Sequence, residues 1–367
     1  MHRPAARNLL VVGLAAVLLL AVTQWWRTSA PPLEPVSSLR DNLPTGNPAT
    51  GTRRRPLPPP ALAAIAATES APRQINLNEV PRKVPPEVLE TYLERNGRSA
   101  GSLVAAVVVA EEDEAYLGEA AQRFPNDPLV QFTLLYKNLF PEQRREWLDR
   151  FMTSAPDNAL PAYLSAREHL KAGDTAAALR DLQEASRRPR YIDYSLETML
   201  EVEQLSLQSG ASVAEAKVGA FAAVPMPQLV QFKQLGQEML TLREQYLAAG
   251  DPASGRALEQ MVLQLADLLT TGEGSRLLIS QLVGVAIERR FLEQLPPEVF
   301  SEVLGMTPAQ RVEELSAWKT ALKKEVPDLE ALLSQGSEAE VISYFDRLKS
   351  QGELAAIRWW QTTHGRP

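Results

Sequence analysis

The sequence predicts an all-α fold, an array of packed helical hairpins behind an N-terminal apolar segment and a proline-rich tether. Three observations carry this. Residues 159–191 read ALPAYLSAREHLKAGDTAAALRDLQEASRRPRY, a helix, a Gly-Asp turn and a second helix. Proline-marked turns return at near-constant spacing through the middle of the chain. Alanine and leucine are abundant while aromatic residues make up only 6%, which favours helices packed through small side chains.

The chain has 367 residues, enough for one large or two ordinary domains. It contains no cysteine. That excludes disulfides, thiol nucleophiles, thiolate zinc sites, iron–sulfur clusters and a lipoprotein-type anchor. The only histidines are His2, His169 and His364, so a multi-histidine metal site is not expected. Residues 1–84 carry ten basic and four acidic side chains, whereas 85–367 carry 28 basic and 41 acidic, a net charge of −13. A body of that sign repels phosphate backbones, so no nucleic-acid partner is expected.

Four segments follow. Residues 1–27 form an anchor or signal: Leu9 to Thr23 is apolar apart from Gly13 and Thr23, with Arg3 and Arg7 before it and Trp25, Trp26 and Arg27 after it. Residues 9–26 reach the lower length limit for crossing a bilayer, and paired tryptophans suit its interface. The competing reading is a cleaved signal, with Thr28-Ser29-Ala30 as the small-residue site; Pro31 directly after it disfavours cleavage. The positive-inside rule puts the N-terminus in the cytoplasm and the bulk of the chain on the periplasmic or extracellular side. Cleavage would give a secreted protein instead.

Residues 28–84 read as a disordered linker. Residues 31–86 hold 13 of the 28 prolines and few large apolar side chains, so burial cannot offset chain entropy. Arg53-Arg54-Arg55 and Pro58-Pro59-Pro60 lie here. The triplet reads as a solvated charge cluster, shorter than the usual polybasic lipid signal, and the proline run as a possible SH3-type ligand.

Residues 85–272 form the helical module and 273–367 a C-terminal helical region packed on it. Asp127-Pro128 and Asp251-Pro252 place a capping carboxylate before a first-turn proline. Thr307-Pro308-Ala309-Gln310 and Ser337-Glu338-Ala339-Glu340 are capping boxes. Asn96-Gly97, Gly173, Gly250 and Gly336 sit where helices should stop. Leu103 to Ala110 is rich in valine, yet the helical pattern of the acidic sequence after it argues for one continuous helix. Leu277 to Ile287 is apolar almost all round and too short to span a membrane, so a central buried helix is expected. Residues 311–325 are amphipathic at helical spacing around Trp318, and Trp359-Trp360 should cap the module with one ring packed.

The turns at Phe124–Pro128, Ala155–Asn158 and Arg188–Tyr191 recur at spacings of 31 and 33, with a fourth at Val224–Pro227. In 159–192, Ala166, Gly173, Ala178, Leu182 and Ala185 occupy small or apolar packing positions, and Ala120 and Pro125 do so one unit earlier. This resembles the tetratricopeptide-repeat family, whose unit is about 34 residues. The match is best at 159–192, weaker at 227–272 and absent beyond 273. The resemblance implies a right-handed α–α superhelix with partner-facing residues on the first helix of each unit. In this chain they would be Leu160, Tyr163, Arg167, Leu170 and Lys171. Tyr163, Arg167 and Lys171 share one face, a stripe suited to an acidic segment or a chain-terminal carboxylate.

No phosphate-cradling glycine motif, nucleophile elbow or zinc-protease motif occurs. Thr271-Gly272-Glu273-Gly274-Ser275 lacks the lysine and the preceding strand, so it reads as a loop. Glu111-Glu112-Asp113-Glu114 reads as a solvated acidic face and His169 as a packed or groove histidine. No catalytic, metal or cofactor-binding residue is assigned and no cofactor is expected. The expectation is a membrane-anchored protein that binds proteins or peptides as an envelope scaffold or assembly factor. Two other classes stay open. A solute- or glycan-binding module needs an aromatic-lined cleft, and a helical-toroid enzyme needs two acids about 5–10 Å apart in a deep pocket.

Overall fold

The computed structural model describes residues 84–110, 113–325, 332 and 336–364. The anchor segment, the linker up to residue 83 and Glu111-Glu112 lie outside them. Among the described residues there is no strand, and the chain is all-α.

The helices are α1 (Pro86–Arg95), α2 (Ala100–Val109), α3 (Glu114–Arg123), α4 (Pro128–Lys137), α5 (Arg144–Ser154), α6 (Ala159–Lys171), α7 (Thr175–Arg187) and α8 (Ser195–Gln208). They continue as α9 (Val213–Ala223), α10 (Pro227–Ala248), α11 (Pro252–Thr270), α12 (Leu278–Leu292), α13 (Pro308–Glu325), α14 (Glu338–Gln351) and α15 (Glu353–His364). Their starts follow local chemistry. Asp127 accepts from Leu129 N–H and Val130 N–H at 2.9 and 3.2 Å, and Asp251 from Ser254 N–H at 3.1 Å. Ser212 with Glu215, Thr307 with Gln310 and Ser337 with Glu340 close capping boxes. Gly173 and Gly250 follow α6 and α10 with φ of 76° and 77°, the left-handed conformation that glycine adopts without penalty.

The recurring turns are the joints between successive hairpins, and two of them are bonded to each other. Ala159 N–H donates to Arg190 O at 2.8 Å and Arg190 N–H to Asp157 O at 3.2 Å. Asn158, 2% exposed, caps Leu160 N–H at 3.1 Å and also pairs with both backbone groups of Ile192, accepting at 3.0 Å and donating at 2.8 Å. Arg188 adds bonds to Ala155 O and Asn158 O. Thus the start of one hairpin is tied to the start of the next.

The assembly is not a simple linear stack. Apolar α2 is buried over Ser102–Val107 and packs on α1, α3 and α4, but also on α8, far along the chain. Helix α6 pairs with α7 and also meets α10, and α12 lies against both α10 and α11. The contact of α12 with α11 is close enough that a Cβ on Gly284 would stand 2.7 Å from Ala266 O. Glu353, from the start of α15, accepts Leu278 N–H at 2.7 Å and so places a carboxylate at the positive N-terminus of α12. A buried ion network fastens α14 to α8 and α9. In it Lys217 meets Glu203 at 2.8 Å and Asp346 at 2.5 Å, while Lys349 bonds the other Glu203 oxygen.

One expected helix divides. The Leu103–Arg123 stretch is not continuous: α2 ends at Ala110, whose ψ is 154°, and α3 begins at Glu114. The two halves demand different surroundings, since α2 is enclosed while Glu114 is exposed. The break also puts Glu114 in the first turn of α3, where the helix dipole favours acids. The apolar 277–287 stretch does form a buried helix, α12. Trp360 is buried and Trp359 partly so, with Arg347 4.8 Å above the Trp359 ring.

Candidate functional site

The five residues of the α6 stripe do not form an open groove. Leu160, Tyr163 and Leu170 are at most 2% exposed and belong to the core. Tyr163 meets Phe232 of α10 edge-on at 5.6 Å, and burial pushes its hydroxyl pKa well up. Arg167 is buried too, bonded to Gln234 and 3.6 Å from Glu238. Burial raises the Glu238 carboxyl above its ordinary value. Lys171 alone is exposed, and it pairs with Glu168 at 2.7 Å. Helix α10 covers the face that a repeat array would leave open.

The polar cluster beside that stripe is structural. Ser165 Oγ accepts from Arg145 Nη1 at 2.6 Å and donates to Asp181. His169 Nε2 lies 3.1 Å from Arg145 Nη1 and 3.6 Å from Asp181. Serine, histidine and aspartate are therefore together, but not as a nucleophile and its base. The serine proton is directed at the aspartate, and Ser165 has no exposed surface. The cluster pins α5, α6 and α7 together. Among the described residues no group of three or more His, Asp or Glu is placed to hold a metal.

The surface that does project from the body lies between α12 and α13. Pro296-Pro297 ends the helical run, and the next residues fold back on themselves. Ser301 N–H donates to Met306 O at 3.1 Å, Gly305 N–H to Ser301 O at 2.9 Å, and Leu304 N–H to Ser301 Oγ at 3.4 Å. Gly305 takes φ of 69°, which the tight return requires. Leu295 and Leu304 pack on the core, and Ala309 N–H of α13 donates to Pro297 O at 3.0 Å. The turn is thus closed internally and fixed at both ends.

It displays what a soluble surface normally hides. Val299 and Phe300 are 60% and 63% exposed, and Val303 is exposed as well. Exposed Glu298 and Glu302 interleave with them. Next to the turn, Met306 with Gln310, Glu313, Glu314 and Ala317 of α13 line an open cleft of about 530 Å³. Helix α13 is itself held by Arg311, which bonds buried Glu288 of α12 at 2.6 and 3.1 Å. The result is an apolar knob with an acidic rim on a rigid mount. The knob is not legible from the sequence, because its apolar residues have neither helical nor strand periodicity. The available signal was Val299, Phe300 and Val303 clustered in a stretch bounded by Pro297 and Gly305.

Comparison of the chain with family models, with curated proteins and with solved structures yields no match. Among the described residues no helix is long and apolar enough to cross a membrane; residues 9–26 lie outside them.

Proposed function

We propose that this is a membrane-anchored helical scaffold that binds other proteins or peptides, as an assembly factor of a cell envelope, through the turn between α12 and α13. The observation that carries this reading is the ordered exposure of Val299, Phe300 and Val303. Burying a phenylalanine side chain is worth about 1.5–3 kcal/mol, so a partner that covers this cluster gains apolar burial there. The hydrogen bonds within the turn matter because a pre-ordered surface loses little entropy on binding. Acidic neighbours select partners of the opposite charge. In this reading residues 9–26 anchor the chain, the linker spaces the body from the bilayer and the C-terminal region carries the contact.

The test is crosslinking capture from native membranes with the full chain and with a Val299→Ser/Phe300→Asp/Val303→Ser variant. The three side chains are exposed, so the variant should melt like the parent. A specific partner captured by the parent and lost by the variant supports the proposal. Equal recovery with both would refute the turn as the binding surface.

A further inference from the structure

The knob and its rim match a segment of the same chain. Phe300 stands exposed in the turn with Val299 and Val303. Glu298 and Glu302 flank it in sequence, Glu313 lines the cleft beside Met306, and none of the three has an ion-pair partner among the described residues. Residues 53–60 read Arg-Arg-Arg-Pro-Leu-Pro-Pro-Pro. Proline-rich segments dock in grooves lined by aromatic side chains, because the preformed extended helix loses little entropy on binding. Here Phe300 supplies the ring, Val299 and Val303 the apolar flanks, and the nearby acids a match for the arginines. The charge asymmetry of the chain points the same way, with a basic segment before residue 84 and a body of net charge −13.

We infer that Arg53–Pro60 docks in cis on the Val299-Phe300-Val303 turn and its acidic rim, covering the binding surface until a partner displaces it. The inference rests on the proposed binding role of that turn. Geometry permits it: the 28 residues between Arg55 and Val84 extend to at most about 100 Å. A body of this size is roughly 50 Å across, so the segment reaches any face of it. Exposed ion pairs are individually weak, so the segment would bind poorly as a free peptide. Tethering changes that, since a short linker supplies an effective concentration in the millimolar range. With a millimolar intrinsic affinity the surface is then covered about half of the time, and it stays open to any partner that binds more tightly.

The test places p-benzoylphenylalanine at position 300 of the full, membrane-bound chain and identifies photocrosslinked peptides by mass spectrometry. A mixture of isotope-labelled and unlabelled protein separates crosslinks within one chain from those between copies. The expected product joins position 300 to residues 53–60 of the same chain. Arg53→Glu/Arg54→Glu/Arg55→Glu should lower its yield by about tenfold or more, as the loss of several rim ion pairs implies. Adding Glu298→Arg/Glu302→Arg/Glu313→Arg should restore it. A crosslink only to a different protein would overturn cis docking and leave the binding role standing. A crosslink only between copies would overturn cis docking in favour of self-association. An intrachain product unaffected by charge reversal would overturn the charge-guided contact. No crosslink of any kind would overturn both the docking and the binding role.

Discussion

Two glycines inside helices should respond in opposite directions to the same substitution. Gly284 lies in α12 against α11, where an added Cβ would meet Ala266 O at 2.7 Å, Thr270 Cγ2 at 2.8 Å and Leu269 Cβ at 3.0 Å. Ordinary contact begins near 3.4 Å, so the helices would have to separate by roughly 0.7 Å. The obstacle includes backbone, which cannot rotate away. Overpacking of this kind costs about 1–3 kcal/mol, while alanine returns up to about 1 kcal/mol of helix propensity. Gly284→Ala should therefore destabilise by about 1–2 kcal/mol. Gly118, in the middle of α3, has nothing within 4 Å of its would-be Cβ. Gly118→Ala collects the propensity term alone and should stabilise by about 0.5–1 kcal/mol. Both are measured by urea denaturation of the full chain followed by circular dichroism, with melting shifts of about 2–4 °C per kcal/mol. A neutral Gly284→Ala would refute the close α11–α12 approach, and a destabilising Gly118→Ala would refute the account of the propensity term.

Three other perturbations test the joints. Asn158→Ala removes the cap of α6 and strands both backbone groups of Ile192, so unfolding should become easier by about 2–4 kcal/mol. Asn158→Asp keeps the acceptor and should cost less in the same denaturation assay. Glu203→Gln leaves Lys217 and Lys349 without their shared buried carboxylate, and a loss of about 3–5 kcal/mol is expected. Adding Lys349→Met should recover part of that loss in calorimetry. Glu119 is held down to about 2, chiefly by its hydrogen bond from Arg98, with Arg123 adding to it. A carboxyl lowered from its unfolded value contributes stability above pH about 5 that disappears as pH falls towards 2. The side chain is 26% exposed, so screening reduces the effect to about 1 kcal/mol. Glu119→Gln should flatten the acid limb of the melting profile by that amount, and an unchanged limb would contradict the assignment.

What could be read from the sequence follows from how far each feature reaches. Caps such as Asp127-Pro128 and Ser337 with Glu340 are decided within four residues, and they form where the pattern puts them. The buried character of 277–287 was legible because it lies in the side chains themselves. Partners were not legible. Arg167 looks like a solvated cation at helical spacing, and only the arrival of Gln234, 67 residues later, makes it an interior group. The split after Ala110 is not legible because helix periodicity continues across it, while the two halves separate into buried and exposed surroundings. The 299–303 knob had no period to detect, and its importance depends on exposure, which the sequence does not state.

The burial of α2 against α8 has a consequence for how the chain is made. Leu103–Ala110 is a run of eight apolar residues, and part of its shelter is a helix that begins at Ser195. At ribosomal speeds of about 5–20 residues per second, that shelter is still unmade for roughly 5–20 s after α2 emerges. During that interval the run is an uncovered, valine-rich surface with a strong tendency to pair with other chains. Yield in cells should therefore depend on whatever holds α2 in the meantime, and on the pace of translation between residues 110 and 208.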